Sequence, residues 1–242
     1  MRKTALITGA ARRVGAVMAE YLHAAGYCVM IHCHRSILEA EILAKKLNAK
    51  RPDSAKIYSA DLRKMENLKP LIQSVIEAWG QLDVLINNAS VFYPTELASA
   101  SESSWDELMH CNAKVPFFLS QAAYHDLKKT RGHIINITDF HAERTFKKYG
   151  IYSMSKSLLL HQTKCLTREW GEHIRVNAVA PGSVIWPEGD NTLSVEIKQE
   201  ILAKTALKKQ VSPLSIAKAV MFLLDNEDIT GDVIHVSAGR GL

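Results

Sequence analysis

Short runs of β-type residues alternate with longer helical patterns along the 242-residue chain, and this alternation restricts the fold more than any other feature. Seven runs are expected as strands, at residues 5–8, 28–32, 57–59, 84–87, 133–138, 174–179 and 233–236. Helical spacing of apolar residues lies between them, most clearly at 14–25, 37–47 and 212–224. Strands joined by helices run parallel, and a parallel sheet needs helices on both faces. We therefore expect a single doubly wound α/β domain over residues 1–242, with a mostly parallel seven-stranded sheet.

The composition narrows the class of protein. A hydrophobic share of 47% and a mean hydropathy of -0.06 fit a globular protein, and no apolar run approaches the ~20 residues that span a bilayer. The first apolar run stops at Thr8-Gly9, which argues against an export signal, and four cysteines without a CxxC pair fit buried thiols in a reducing compartment. The formal charge of +5 is spread along the chain without aromatic interleaving. We expect a cytoplasmic protein with no nucleic-acid, membrane or metal partner.

The segment TGAARRVG, residues 8–15, follows the first predicted strand and precedes a helical pattern. Glycines at such a turn let backbone amides approach a dinucleotide phosphate, as in a Rossmann-type fold. Where a carboxylate would bind the ribose of NAD, at the end of the second predicted strand, the chain has His34, Arg35 and Ser36. A cation and a hydroxyl suit a 2′-phosphate, so the sequence predicts NADP(H). The alternative is that Arg35 is a solvated residue at a helix start.

Tyr152 and Lys156 are four residues apart and share one face of a predicted helix. At ~4 Å and an effective dielectric constant of ~20, the lysine would lower the phenol pKa by roughly three units. The same spacing is also common on ordinary helices. Pro116 lies four residues after Asn112 and has no N–H, so the Asn112 carbonyl would be free to hold a water.

Together these features resemble the short-chain dehydrogenase/reductase family: the turn at 8–15, Asn87-Asn88-Ala89, Asn112, and Tyr152 with Lys156. The resemblance covers essentially the whole chain. It implies that family's fold, its usual homotetramer and nicotinamide-dependent hydride transfer. It also implies that Tyr152 exchanges the proton, that Lys156 binds the nicotinamide ribose and tunes the tyrosine, and that Asn112 holds a water in the proton relay.

Two departures from the general family pattern resemble its pteridine reductase branch. Arg13 stands where the family usually has glycine, and Asp139 where it usually has serine. The stretches HCHRS (32–36), ADL (60–62) and NNASVFYPT (87–95) share this resemblance. It implies NADPH-dependent reduction of a dihydropterin, with oxidised pterins and dihydrofolate as further candidate substrates in folate metabolism. The alternatives are a carbonyl or 3-oxoacyl-thioester reductase on the same fold, and an NADP(H) sensor without turnover, which the presence of Asn112, Tyr152 and Lys156 disfavours.

The resemblance assigns residues to three groups. The catalytic group is Asn112, Asp139, Tyr152 and Lys156. The cofactor-binding group is Gly9, Arg12, Arg13, Val14, Gly15, His34, Arg35, Ser36, Asp61, Leu62, Asn88, Ala89, Ser90, Tyr152, Lys156, Pro181, Gly182 and Ser183. The substrate-binding group is Arg13, Ser90, Phe92, Asp139, Tyr152 and Trp186, with residues 183–210 as a flap over the substrate.

Asp139 and Phe92 can also be interpreted physically. A carboxylate beside Tyr152 raises the phenol pKa and opposes the lysine, so the tyrosine should stay protonated, as a reductase requires. The alternative for Asp139 is a cap on an adjacent loop amide. Phe92 is expected to form one wall of a slot for a flat ring, with the nicotinamide as the other wall. The alternative for Phe92 is core packing.

Overall fold

The computed structural model describes residues 2–186 and 192–240. Within these residues, seven strands form one sheet in the order β3-β2-β1-β4-β5-β6-β7, and every neighbouring pair is parallel. The strands are β1 Thr4–Ile7, β2 Cys28–Cys33, β3 Ala55–Ser59, β4 Val84–Asn87, β5 His133–Ile137, β6 Arg175–Pro181 and β7 Val233–Val236. The strand order reverses between β1 and β4, as in doubly wound folds. The predicted α/β fold with a parallel seven-stranded sheet is confirmed.

Helices connect the strands and cover both faces of the sheet. They are α1 Arg13–Ala24, α2 Ile37–Lys50, α3 Leu68–Trp79, α4 Glu102–Met109, α5 Val115–Thr130, α6 Gly150–Trp170, α7 Val195–Ala203 and α8 Pro213–Asp225. The helix predicted at 212–224 is confirmed as α8, and the Ser212 hydroxyl caps it by accepting from the Leu214 amide. Gly80 ends α3 at a φ of +81°. The strand predicted at 57–59 begins earlier, at Ala55. The start of β3 was missed because this edge strand has polar, exposed residues and so gives no clear hydrophobic pattern.

The core lies on both sides of the sheet, because successive strand residues point to opposite faces. Ala5 and Ile7 of β1 pack with α1, α2 and α8, whereas Leu6 packs on the other face with α3 and α5. Both faces of β1 are therefore buried. This explains why β1 is a continuous apolar run and not an alternating one.

Two of the predictions, the four buried thiols and the flap over the substrate, can be compared with the structure. Cys28 and Cys33 are buried, but Cys111 is partly exposed and Cys165 is exposed on α6, so the prediction of four buried thiols was wrong. The predicted flap at 183–210 contains α7, and its residues 187–191 lie outside the described residues. No helix in the described residues is long and apolar enough to cross a membrane.

Candidate active site

Two adjoining clefts open at the carboxyl edge of the sheet, with volumes of about 540 and 780 Å³. Arg13, Val14, Asn88 and Ser90 line both clefts. The first cleft is lined by predicted cofactor residues from the first half of the chain: Gly9, Arg12, Arg13, Val14, Gly15, His34, Arg35, Ser36, Asp61, Leu62, Asn88, Ala89 and Ser90. The second contains the other predicted cofactor residues and the predicted substrate residues: Tyr152, Lys156, Pro181, Gly182, Ser183, Phe92, Asp139 and Trp186.

The turn between β1 and α1 requires its glycines. Gly9 has a φ of +62°, a left-handed conformation that costs glycine nothing. A Cβ at Gly15 would lie 2.3 Å from the Gly9 carbonyl oxygen and 2.8 Å from the Asn88 Nδ2. The Asn88 side chain in turn donates to the carbonyl oxygens of Thr8 (2.8 Å) and Gly9 (3.1 Å). Asn88, expected as a cofactor contact, therefore also holds the turn that would receive the phosphates.

A buried histidine that sequence reasoning missed, His32 at the end of β2, supports this turn. Its Nδ1 accepts from the Gly9 amide (3.2 Å), which places the ring proton on Nε2, where it can donate to the Ala60 carbonyl (3.0 Å). Burial is the main cause that lowers the pKa of His32 to about 4. The signal in the sequence was weak, because a histidine within an apolar strand is also compatible with ordinary core packing.

His32 should make the fold sensitive to acid. Its pKa is lowered in the folded state, so its stabilising contribution is present above pH 6.5 and is lost as the pH falls towards 4. The difference corresponds to about 3 kcal/mol of unfolding free energy. We expect His32→Gln to flatten the decline of unfolding free energy between pH 7 and pH 4 by about this amount, measured by urea denaturation. His161→Gln, at an exposed position of α6, is the control, and equal slopes for wild type and His32→Gln would contradict the prediction.

Residues 34–36 lie at the start of α2, in the first cleft, with Arg35 exposed. Asp61 lines the same cleft and is hydrogen-bonded to Arg63. Its carboxylate accepts from the Arg63 guanidinium at 3.0 Å, and this hydrogen bond is the main cause that lowers the pKa of Asp61 to about 2. Arg63 also pairs with Glu107 at 3.0 Å and lines the cleft. Sequence reasoning missed Arg63, which no motif marked.

Arg13 has a φ of +56°, so a non-glycine residue occupies the left-handed position where the family usually has glycine. Such a conformation costs a non-glycine residue of order 1 kcal/mol or more. Its guanidinium donates to the carbonyl oxygens of Ile185 and Trp186, both at 3.1 Å. The unusual backbone thus directs a long cationic side chain between the two clefts, against the start of the predicted flap.

Tyr152 and Asp139 meet at the second cleft. The Tyr152 hydroxyl donates to the Asp139 Oδ2 at 2.8 Å, and Tyr152 is only 5% exposed. Burial, followed by the charge of Asp139 and this hydrogen bond, raises the pKa of Tyr152 well above its usual value. The Asp139 Oδ1 accepts from the backbone amide of His141 at 2.7 Å. The two interpretations of Asp139, as a partner of the tyrosine and as a loop cap, therefore both hold, one for each oxygen.

Lys156 does not lie against the phenol as the sequence suggested. Its Nζ donates to the Ile137 carbonyl at 2.9 Å and is 6.0 Å from the centroid of the Tyr152 ring. Burial is the largest cause that lowers the pKa of Lys156 to about 8. The expected lowering of the Tyr152 pKa by a lysine at ~4 Å is thus wrong for this structure, because burial and Asp139 dominate.

Asn112 is fully buried, and its side chain contacts neighbouring protein groups. Its Oδ1 accepts from the Ser90 hydroxyl and the Val91 amide, both at 2.9 Å, and its Nδ2 donates to the Ser155 hydroxyl at 3.0 Å. Its backbone lies in a π-helical turn, His110–Lys114, just before Pro116. This irregularity fits the lack of an N–H at Pro116. The side chain therefore holds the loop at Ser90, and a water on the Asn112 backbone carbonyl stays a prediction.

An aromatic stack forms one wall of the second cleft. Phe92, 36% exposed, stacks on Tyr149 (ring centroids 4.5 Å apart) and meets the edge of Tyr152 at 4.7 Å. Tyr149 stacks on Phe146 at 4.6 Å, and Phe146 stacks on His141 at 4.4 Å. Sequence reasoning found Phe92 but missed the other three rings. The close spacing of residues 146, 149 and 152 was the available signal.

The C-terminal segment after β7 adds a cation that sequence reasoning also missed. Arg240 lines the second cleft, and its Nη1 donates to the Ser183 hydroxyl at 2.7 Å. Its guanidinium carbon is 5.7 Å from the Phe146 ring centroid. Burial lowers the pKa of Arg240, and the negative charge of Asp139 opposes this shift. Gly182 allows this segment to approach, because a Cβ there would lie 2.9 Å from the Ser237 Cα.

Comparison with known proteins finds a family model and relatives whose names describe reductases. A family model described as enoyl-(acyl carrier protein) reductase matches residues 9–240. The chain is 32% identical to pteridine reductase 1 of Leishmania tarentolae over 280 residues, which cover 98% of this chain and 96% of that protein. It is 33% identical to 3-oxoacyl-(acyl-carrier-protein) reductase FabG of Staphylococcus epidermidis over 243 residues, 99% of each protein. These near-equal identities do not choose between the two substrate classes. The parallel sheet, the Tyr152–Lys156 site and these matches show that the chain belongs to the short-chain dehydrogenase/reductase family of oxidoreductases.

Proposed function

We propose that the protein reduces pterins with NADPH, converting a dihydropterin to a tetrahydropterin. The observation that carries this proposal is the hydrogen bond from the buried Tyr152 hydroxyl to Asp139, beside an aromatic wall that begins at Phe92. A flat heteroaromatic ring gains about 1 kcal/mol or more from stacking on such a wall. A tyrosine kept protonated suits proton delivery to a ring nitrogen. The similarity to pteridine reductase 1 of Leishmania tarentolae supports the same substrate class.

In this proposal the chain's own residues bind the ring and move the proton. Phe92 packs on one face of the ring, while Arg13 and Ser90 bind its polar edge. Bound NADPH supplies the hydride. Tyr152 donates its hydroxyl proton to the ring nitrogen next to the carbon that is reduced, and the raised pKa of Tyr152 keeps that proton available near neutral pH. Asp139 keeps the phenol protonated, and a water bound to Asp139 is a second proton source.

The first cleft fits NADP(H). Only glycine can occupy position 15, because a Cβ would collide with the Gly9 carbonyl, so the turn packs tightly beside the cleft where the phosphates would bind. Arg12, Arg13 and Arg35 give the cleft positive charge where the 2′-phosphate and the pyrophosphate would lie. We propose that His34, Arg35 and Ser36 hold the 2′-phosphate, that Asp61 and Leu62 contact the adenine, and that Lys156 binds the nicotinamide ribose. A homotetramer and a cytoplasmic location remain predictions from the family resemblance and the free thiols.

Arg35 should decide between the two nicotinamide cofactors. A charge-assisted hydrogen bond to a phosphate contributes about 1.5–3 kcal/mol, so Arg35→Leu should raise KM for NADPH by roughly 10- to 100-fold. KM for NADH should change less than threefold, because NADH has no 2′-phosphate. Lys45→Leu removes an exposed positive charge from α2, the helix that follows Arg35, at a position outside both clefts, and is the matched control. Equal effects of Arg35→Leu on both cofactors would contradict this role.

The second candidate is a carbonyl or 3-oxoacyl-thioester reductase, which the 33% identity to FabG of Staphylococcus epidermidis favours. That reaction would use the same tyrosine and lysine but would gain little from Phe92 or Asp139. The deciding assay follows NADPH consumption with dihydrobiopterin, dihydromonapterin, dihydrofolate and acetoacetyl thioester in parallel, with Tyr152→Phe as the blank. We expect kcat/KM to be at least tenfold higher for a dihydropterin than for the thioester. A preference for the thioester would reject the pterin proposal.

A further inference from the structure

His141 makes three contacts that join the proton donor to the aromatic wall. Its Nδ1 lies 2.8 Å from the Asp139 Oδ1, and its backbone N–H donates to the same oxygen at 2.7 Å. Its ring stacks on Phe146 with an interplanar angle of 15°. His141 is 9% exposed, so the surrounding protein holds the ring in place. The Asp139 Oδ2 meanwhile accepts from Tyr152.

The contacts close into a ring of side chains. Tyr152 bonds to Asp139, Asp139 to His141, and His141 stacks on Phe146. Phe146 stacks on Tyr149, Tyr149 stacks on Phe92, and Phe92 meets the edge of Tyr152 again. Because two donors hold Oδ1, the carboxylate cannot rotate without breaking both bonds. Oδ2 therefore stays directed at the phenol.

We propose that His141 is a positioning residue for proton transfer: it holds the Asp139 carboxylate so that Oδ2 keeps the Tyr152 hydroxyl in place. This inference rests on the proposed function for its kinetic consequences, but the geometric claim stands without a substrate. The backbone N–H of residue 141 would remain in any variant, so the side chain contributes the second of two bonds. Without it, the carboxylate can turn, and Tyr152 loses part of the interaction that raises its pKa.

Other charged and titratable groups near this carboxylate lie on α6, on the turn after Asp139, on β7 and on the segment after β7. Tyr152 and Lys156 belong to α6, and Arg240 follows β7. Glu143 and Arg144 lie on the turn that contains His141, and Glu143 pairs with His235 of β7 at 3.1 Å. Among these groups, the described structure gives only Tyr152 a hydrogen bond to the Asp139 side chain. The His141 imidazole is the other side chain bonded to it, and so it is the one to vary.

The test compares His141→Phe with His141→Asn. Phenylalanine keeps the stack on Phe146 but cannot donate to Asp139, whereas the Asn amide can donate from a position close to that of Nδ1. We expect His141→Phe to lower kcat about tenfold and to shift the basic limb of the pH profile to lower pH, with KM for NADPH unchanged within twofold. His141→Asn should retain at least half of the wild-type kcat. Thermal denaturation checks that both variants fold.

A double-mutant cycle separates this role from general damage. If His141 acts through Asp139, His141→Phe should lower kcat less than twofold in an Asp139→Ser background. A full tenfold loss in that background would overturn the proposal, as would a His141→Phe enzyme with the wild-type kcat and pH profile. Failure of His141→Asn to rescue would also overturn it.

A measurement without substrate distinguishes this inference from the proposed function. With tyrosines labelled at ¹³Cζ, the Tyr152 resonance, assigned with Tyr152→Phe, reports the hydrogen bond of its hydroxyl. We expect His141→Phe to move this resonance towards its position in Asp139→Ser, and His141→Asn to leave it near wild type. If it moves while no pterin is reduced, the proposed function fails and the positioning role of His141 stands. If it does not move, the positioning role fails whatever the substrate.

Discussion

Tyr152→Phe is expected to lower kcat for NADPH-dependent reduction by 10²- to 10⁴-fold. A positioned proton donor contributes about this factor, and the hydroxyl is the group that Tyr152 brings to the second cleft. The substitution removes one oxygen from a buried ring and keeps the edge contact to Phe92. Binding of NADPH, measured by fluorescence titration, should therefore change less than threefold.

The matched control for this variant is Tyr124→Phe. Tyr124 packs against Trp170, away from both clefts, so loss of its hydroxyl should leave kcat within twofold of wild type. Stopped-flow measurement of NADPH oxidation separates the chemical step from product release. If Tyr152→Phe retained more than a tenth of the wild-type rate in the chemical step, another group would have to donate the proton.

Asp139→Ser is expected to lower kcat about 10- to 100-fold and to move the basic limb of the pH profile to lower pH. Burial raises the pKa of Tyr152 most, and the charge and hydrogen bond of Asp139 raise it further. A reductase needs the protonated phenol, so loss of the carboxylate lowers the pH at which the donor loses its proton. The measurement is kcat and kcat/KM for a dihydropterin as functions of pH.

Asp139→Asn removes the charge and also changes the hydrogen bond, because the two N–H donors of His141 favour the amide oxygen at the Oδ1 position and leave the amide NH2 group facing the tyrosine. We expect the basic limb of Asp139→Asn to move to lower pH at least as far as that of Asp139→Ser. Asp126→Ser removes a carboxylate that pairs with Lys129 on the surface and should leave the profile unchanged. An unchanged pH profile in Asp139→Ser would remove Asp139 from the mechanism.

Much of the fold was predictable because its signals are local. The strand at Val84–Asn87 and the helix predicted at 212–224 depend on residues near one another in the chain, and both were found. Predicted strand boundaries were wrong where burial depends on residues distant in sequence. This is the case at β3, an edge strand whose polar residues face solvent. The exposure of Cys165 was missed for the same reason, because which helix face meets the sheet is a tertiary property.

Some residues of the candidate site were likewise predictable from the sequence, and others were not. Gly15, Tyr152 and Lys156 were found from spacing, and Arg13 and Asp139 from departures at positions that a family resemblance marked. His32 and Arg240 were not found, because their partners, Gly9 and Ser183, are distant in sequence. His141 was missed although Asp139 is close to it in the chain, because no sequence pattern marked a histidine that bonds to this carboxylate.

By itself, the sequence determined the parallel α/β sheet, the glycine turn and the pairing of a tyrosine with a lysine on one helical face, because periodicity and short spacings set them. Only the tertiary structure decided which charge acts on the phenol. Folding buries Tyr152 against Asp139 and directs Lys156 to the Ile137 carbonyl instead. Which effect on the Tyr152 pKa is largest depends on distances and burial, and spacing along the chain gives neither. Here burial and Asp139 raise that pKa, so the tyrosine stays protonated.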